Sequence, residues 1–188
     1  MTSPANPAEQ SWSVLGPEAP DDLAGRRALA IGADPEAPAA ALEERGAAVV
    51  RWKFPGEPLA AGDPFDLVCC AGGAMQGDPH PVNLLTRIWH LTRAGSALLL
   101  ESQVLTAPEA SRYGLFVADP DDGARSHWLP GRLALRWMVE VTGFDVDRWL
   151  DGEEDAGSDR ATAYLRATRT DRAPALDLAN PHHQEGGS

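Results

Sequence analysis

The stretch from Phe65 to Glu101 constrains this chain more than any other. It reads Phe65-Asp66-Leu67-Val68-Cys69-Cys70-Ala71, then Gly72-Gly73. A segment from Pro81 to Arg93 follows, and then Ser96-Ala97-Leu98-Leu99-Leu100-Glu101. Leu67 to Ala71 and Ala97 to Leu100 are unbroken apolar runs. Such runs suit strands buried on both faces, as in a parallel sheet covered by helices on each side. Between them Leu84, Leu85, Ile88, Trp89 and Leu91 recur at helical spacing. The stretch therefore predicts strand, helix, strand, with Glu101 just past the second strand. In open α/β sheets the ligand crevice lies outside the carboxyl ends of the strands. Gly72, Gly73 and Glu101 are expected to face it.

The preceding residues repeat the pattern. Arg26 to Gly32 is a short buried strand ending in glycine. Asp34 is placed to cap a helix, and Pro35 suits its first turn. That helix runs through Leu42 to Arg45 and stops at Gly46. Ala47 to Trp52 is a second strand, which completes a βαβ unit. Pro55 to Pro64 is a short loop. Residues 102–125 read as a long connection with one apolar patch, Leu115-Phe116-Val117. Trp128-Leu129-Pro130 opens a helix that continues through Leu133, Leu135, Trp137, Met138 and Val141 to Gly143. Phe144 to Leu150 and Ala161 to Thr168 read as two last strands around an acidic turn. The domain spans 21–170, between a polar arm (1–20) and a polar tail (171–188), both of disordered composition.

Charge narrows the function. The 188 residues carry 16 basic and 28 acidic side chains, a net −12, and Lys53 is the single lysine. Nucleic-acid binding needs clustered Lys and Arg to displace phosphate counterions, so no nucleic-acid partner is expected. No apolar run approaches the ~20 residues of a membrane helix, and no secretory signal opens the chain. Cys69 and Cys70 are adjacent on a strand and point to opposite faces, so they cannot bridge each other. They read as buried thiols of a reducing, cytoplasmic compartment. His80 and His90 lack partners at ligand spacing, so no metal is expected. Trp52, Trp89, Trp137 and Trp149 read as core packing.

The order of these elements resembles a class I S-adenosylmethionine-dependent methyltransferase, nearest to the tRNA wobble-uridine carboxymethyl transferase-like group. Five patches carry the resemblance: Asp22 to Leu29, Leu42 to Val50, Phe65 to Cys69, Pro81 to Glu101, and Trp128 to Phe144. It implies a Rossmann-like, mostly parallel sheet with a carboxy-terminal antiparallel hairpin. The residues from Phe54 to Pro64 are too few for the helix and strand the family places there, so one middle strand should be missing. The resemblance implies S-adenosylmethionine as cofactor, with Gly32, Ala33, Asp34, Lys53, Ala71 and Gly72 at the cofactor positions. Glu101, Tyr113 and His127 fall at catalytic positions, and Arg112 and Trp128 at substrate positions.

Several cofactor positions depart from the family pattern. Asp34-Pro35-Glu36 stands where a second glycine lets the backbone approach the ligand, and the long Glu36 side chain would crowd it. Lys53 stands where a carboxylate accepts the ribose hydroxyls, and an ammonium cannot accept. Gln76-Gly77 replaces a Tyr-His pair. Two readings follow. One is a divergent methyltransferase-like protein acting on or binding a small molecule. The other is a cofactor-less pseudo-methyltransferase, either a repurposed enzyme or a non-catalytic subunit of a protein partner.

Overall fold

The computed structural model describes residues 15–56, 59, 62–71, 73–76, 78, 80–118, 126–154 and 159–175. The described residues hold eight strands: β1 (Arg27–Gly32), β2 (Ala48–Lys53), β3 (Phe65–Cys70), β4 (Thr92–Leu105), β5 (Gly114–Ala118), β6 (Ser126–Pro130), β7 (Phe144–Glu154) and β8 (Arg160–Arg169). Three α-helices accompany them: α1 (Glu36–Glu44), α2 (Pro81–His90) and α3 (Arg132–Val141).

Six strands form one sheet in the order β2-β1-β3-β4-β8-β7. The first four are mutually parallel. β8 runs antiparallel between β4 and β7. This is the expected α/β, Rossmann-like, mostly parallel sheet closed by an antiparallel hairpin. Between Lys53 and Phe65 the described residues hold no strand, so β2 lies at the sheet edge. Among the described residues, the strand missing from the middle of the chain is thus one missing from the edge of the sheet.

The apolar runs behave as both-face-buried strands must. Leu29, Ile31, Val68, Cys70, Leu98 and Leu100 pack with α2 and α3 on one face, where Leu84, Leu85, Ile88, Leu135 and Val139 are fully buried. Each such aliphatic side chain contributes roughly 1.5–3 kcal/mol of burial. Ala28, Leu67, Cys69 and Leu99 point to the other face. There they meet α1 through Leu42 and an amino-terminal segment through Leu15, Ala19 and Leu23. Arg45 ties that segment down by donating to the carbonyls of Gly16 (2.8 Å) and Ala19 (3.1 Å). Arg148 of β7 pairs with Glu18 at 2.8 Å. Gly46 ends the α1 turn at φ +90°, a conformation that favours glycine.

The structure corrects the sequence reading of the strands and helices in three places. The connection after β4 is no irregular loop, because Gly114–Ala118 and Ser126–Pro130 pair as an antiparallel hairpin. Trp128-Leu129-Pro130 therefore belongs to a strand, and α3 starts only at Arg132, beyond Gly131. Glu101 is not past its strand. β4 continues to Leu105 because β8 pairs with it throughout, Glu101 standing opposite Tyr164 and Leu105 opposite Arg160.

Candidate functional site

Two places hold the residues singled out by sequence. The first is the carboxyl end of the parallel strands, and its backbone is engaged with itself. The carbonyl of Ile31 accepts the Ala71 N–H, and that of Gly32 accepts the Phe54 N–H, both at 2.9 Å. Gly32 is a glycine because the neighbouring chain presses on it: a Cβ there would lie 2.4 Å from the Ala71 carbonyl oxygen. Beyond β3, Ala74, Met75 and Gln76 are buried, the first two in one apolar cluster with Ile31, Phe54 and Cys70. Gln76 donates to Ser102 Oγ at 2.9 Å. Gly72 and Gly77 lie outside the described residues.

The turn after β1 carries Ala33 and Asp34, both exposed. Asp34 Oδ1 accepts the Glu36 N–H at 3.3 Å. Helix α1 begins after Pro35, and Pro38 lies in its first turn. Prolines have no N–H to give, and the Ala39 N–H bonds back to the Pro35 carbonyl. The amino terminus of α1 is thereby poor in donors that a ligand could use. The Glu36 carboxylate is held by Arg51 Nε at 2.9 Å. The same guanidinium forks onto both oxygens of Glu43, at 2.8 and 2.9 Å, which holds the Glu43 carboxyl below its ordinary range. Lys53 is exposed at the end of β2.

Glu101 lies on the face of β4 that carries Leu99, opposite the face carrying Leu98, Leu100 and Val104. It stands near Cys69. Burial, with the charge of Glu101 behind it, pushes the Cys69 thiol up to about 12. Burial likewise pushes the equally buried Cys70 thiol well above its ordinary range.

The second place is a cavity of about 550 Å³ on the α2–α3 side. Val82 of α2, Arg112 and Gly114 of the hairpin entry, Trp128 of β6, and Leu133, Ala134, Trp137 and Met138 of α3 line it. Local chemistry builds it in steps. The Ser111 carbonyl accepts the N–H groups of Leu133 (2.9 Å) and Ala134 (3.1 Å), so the turn holding Arg112 caps α3. Gly131 allows that docking, since a Cβ there would lie 2.0 Å from the Ala110 carbonyl oxygen. Gly114 allows the next step. A Cβ on it would lie 2.4 Å from Trp128 Cζ2 and 2.5 Å from Cε2, so the indole lies against bare backbone. Met138 is buried, while Trp137 is 55% exposed and Leu133 51%.

The structure thus brings Arg112 and Trp128 into one wall, while Glu101 lies on the other side of the sheet. Tyr113 is 66% exposed and is not among the lining residues. The backbone of His127 pairs with Val117, and its side chain lies outside the described residues. Trp52 is buried as expected, but Trp137 is a cavity wall rather than core. Val82, Gly114, Leu133 and Met138 escaped the sequence reading, because only the packing of α2, α3 and the hairpin joins them. The one available signal was the Leu133–Trp137 pair, spaced i,i+4 on a helix whose buried stripe runs through Leu135, Met138 and Val139. Among the described lining residues Arg112 alone is charged, and it makes no ion pair among the described residues. The lining so described holds no general base and no nucleophile.

No protein-family model matches the chain, and no curated protein matches it. Solved structures do match in fold. The chain is similar to S-adenosylmethionine-bound CalS10, an amino pentose methyltransferase from Micromonospora echinaspora, with TM-score 0.59, 16% identity, and 89% of this chain covering 93% of that one. It is similar to the magnesium protoporphyrin IX methyltransferase of Synechocystis with bound S-adenosylhomocysteine, with TM-score 0.57, 15% identity and coverage of 87% and 85%. It is also similar to the cyclase SpnF, with TM-score 0.56, 15% identity and coverage of 86% and 81%. At these identities the likeness establishes the fold, which is that of the class I S-adenosylmethionine-dependent methyltransferases.

Proposed function

We propose that this chain is a methyltransferase-fold protein whose working site is the cavity between the β5–β6 hairpin and α3, and that it binds a small molecule there. The observation that carries this reading is the convergence of Arg112, Trp128, Trp137 and Met138 on one space of about 550 Å³. That volume falls within the roughly 300–1,000 Å³ of small-molecule sites.

The strand-end residues do not fit S-adenosylmethionine in the family's manner. An ammonium at Lys53 cannot accept ribose hydroxyls, and the α1 amino terminus is short of free donors. The β1 carbonyls already bond to Ala71 and Phe54. We therefore route no methyl transfer through that crevice. The fold carries no obligation to methylate, since function lives in sites grafted on folds. The similar structure SpnF is named for a cyclisation.

The test is fluorescence titration with N-phenylnaphthylamine, an uncharged aromatic probe, on the wild type, Gly114→Val and Trp137→Ala. The expected result is saturable binding that weakens at least tenfold in both variants. Binding that neither variant changes would place the ligand elsewhere and overturn the reading.

A second reading, a non-catalytic partner subunit, draws on the exposure of Tyr113 (66%), Leu115 (52%), Leu133 and Trp137 along the hairpin and α3. Apolar residues exposed together mark contact surfaces. Sedimentation of the purified chain as a dimer broken by Leu115→Glu would favour it, and a monomer at high concentration would count against self-association.

A further inference from the structure

Resting on the cavity reading above, we infer the class of ligand: a planar, polycyclic aromatic molecule bearing one anionic group, with its rings between Trp128, Trp137 and Met138 and its anion at Arg112. Three observations lead there. The described walls apart from Arg112 are apolar, so neutral polar groups of a ligand pressed against them would lack partners, at a cost. Two of the walls are indoles, and Trp128 is fixed in place by its seat on Gly114. A preset aromatic wall favours flat rings, which stack at an offset and lose little freedom on binding. Met138, buried at the base, adds a polarizable thioether suited to ring edges.

The charge argument is the sharper one. The chain carries −12, so its overall field repels anions. Against that field, the lining offers a guanidinium with no ion pair among the described residues and with no acidic side chain among the described lining residues. A guanidinium donates in a planar fork that matches carboxylate or sulfonate. Nonspecific adsorption to this protein would favour a neutral dye over its anionic counterpart. A site built as described reverses that order.

The experiment compares two probes with the same rings, anilinonaphthalene sulfonate and the uncharged N-phenylnaphthylamine, by fluorescence titration of the full chain at low salt. The expected result is about tenfold tighter binding of the sulfonate, shrinking as salt rises. Arg112→Gln should erase that preference by weakening the sulfonate about tenfold more than the neutral probe. Equal affinities in the wild type, or an Arg112→Gln variant that weakens both probes alike, would overturn the anionic class while leaving the cavity reading intact. Binding of both probes that is indifferent to Trp137→Ala and Gly114→Val would overturn the cavity reading and this inference with it.

Discussion

The indole of Trp128 rests on the backbone of Gly114, so close that a Cβ on Gly114 would lie 2.4 Å from Cζ2 and 2.7 Å from Nε1. The two residues are nearly in register across the β5–β6 hairpin, where Trp128 pairs with Phe116 and Gly114 with Pro130. This contact sets one wall of the cavity. Gly114→Ala must push the ring away and should cost about 1–3 kcal/mol in urea unfolding. It should also shift the near-ultraviolet dichroism of the folded protein, which reads the tryptophan environment directly.

Gly32→Ala should do worse. Its Cβ would meet not a side chain but the Ala71 carbonyl oxygen, at 2.4 Å, where β1 and β3 end side by side. Backbone cannot swing aside, so strands β1 and β3 must part. The expected outcome is a loss of about 3 kcal/mol or more, or failure to fold, checked by thermal melting. A variant as stable as the wild type would mean that the strands give more easily than their packing implies.

Asp66 makes stability depend on pH in the acid range. Burial raises its carboxyl pKa, but the Arg27 N–H (3.0 Å) and the guanidinium of Arg93 outweigh this, and the net direction is down. A carboxyl lowered on folding contributes stability that is present above its unfolded pKa and is lost as pH falls through the folded one. Asp66→Asn should therefore cost about 1–3 kcal/mol at pH 7. The gap from wild type should close as pH falls below about 4. Parallel urea titrations at several pH values check the sign.

Cys69 and Cys70 are fully buried and their thiols are pushed up by that burial, Cys69 to about 12. Thiolate is the reactive form. Neither should react with Ellman's reagent at pH 8 in the native protein, and both should react at once in denaturant. Rapid native labelling would contradict the packing of β3.

What the sequence made legible was local. The β1–α1–β2 and β3–α2–β4 units read correctly because their apolar runs and helical spacing lie within about thirty residues of each other. The β7–β8 hairpin and the missing edge strand were legible for the same reason, as alternation and as a segment too short to hold more. The β5–β6 hairpin was not. Its strands have five residues each, too few for a strong period, and Trp128-Leu129-Pro130 imitates a helix entrance until Gly131 breaks it. The extension of β4 past Glu101 depends on β8, whose pairing residues lie some sixty positions away. Of the site, Arg112 and Trp128 were found through resemblance. Val82, Trp137 and Met138 join them only when two helices and a hairpin pack, which no window of sequence displays.

The central claim is that the fold is a methyltransferase's while the working site is the cavity rather than the strand-end crevice. Titration calorimetry of the full chain with S-adenosylhomocysteine tests it most directly. The account predicts no binding at millimolar ligand for the wild type. Micromolar binding, tightened further by Lys53→Asp or Glu36→Gly, would show that the crevice still holds the cofactor by its usual route, and would contradict the account.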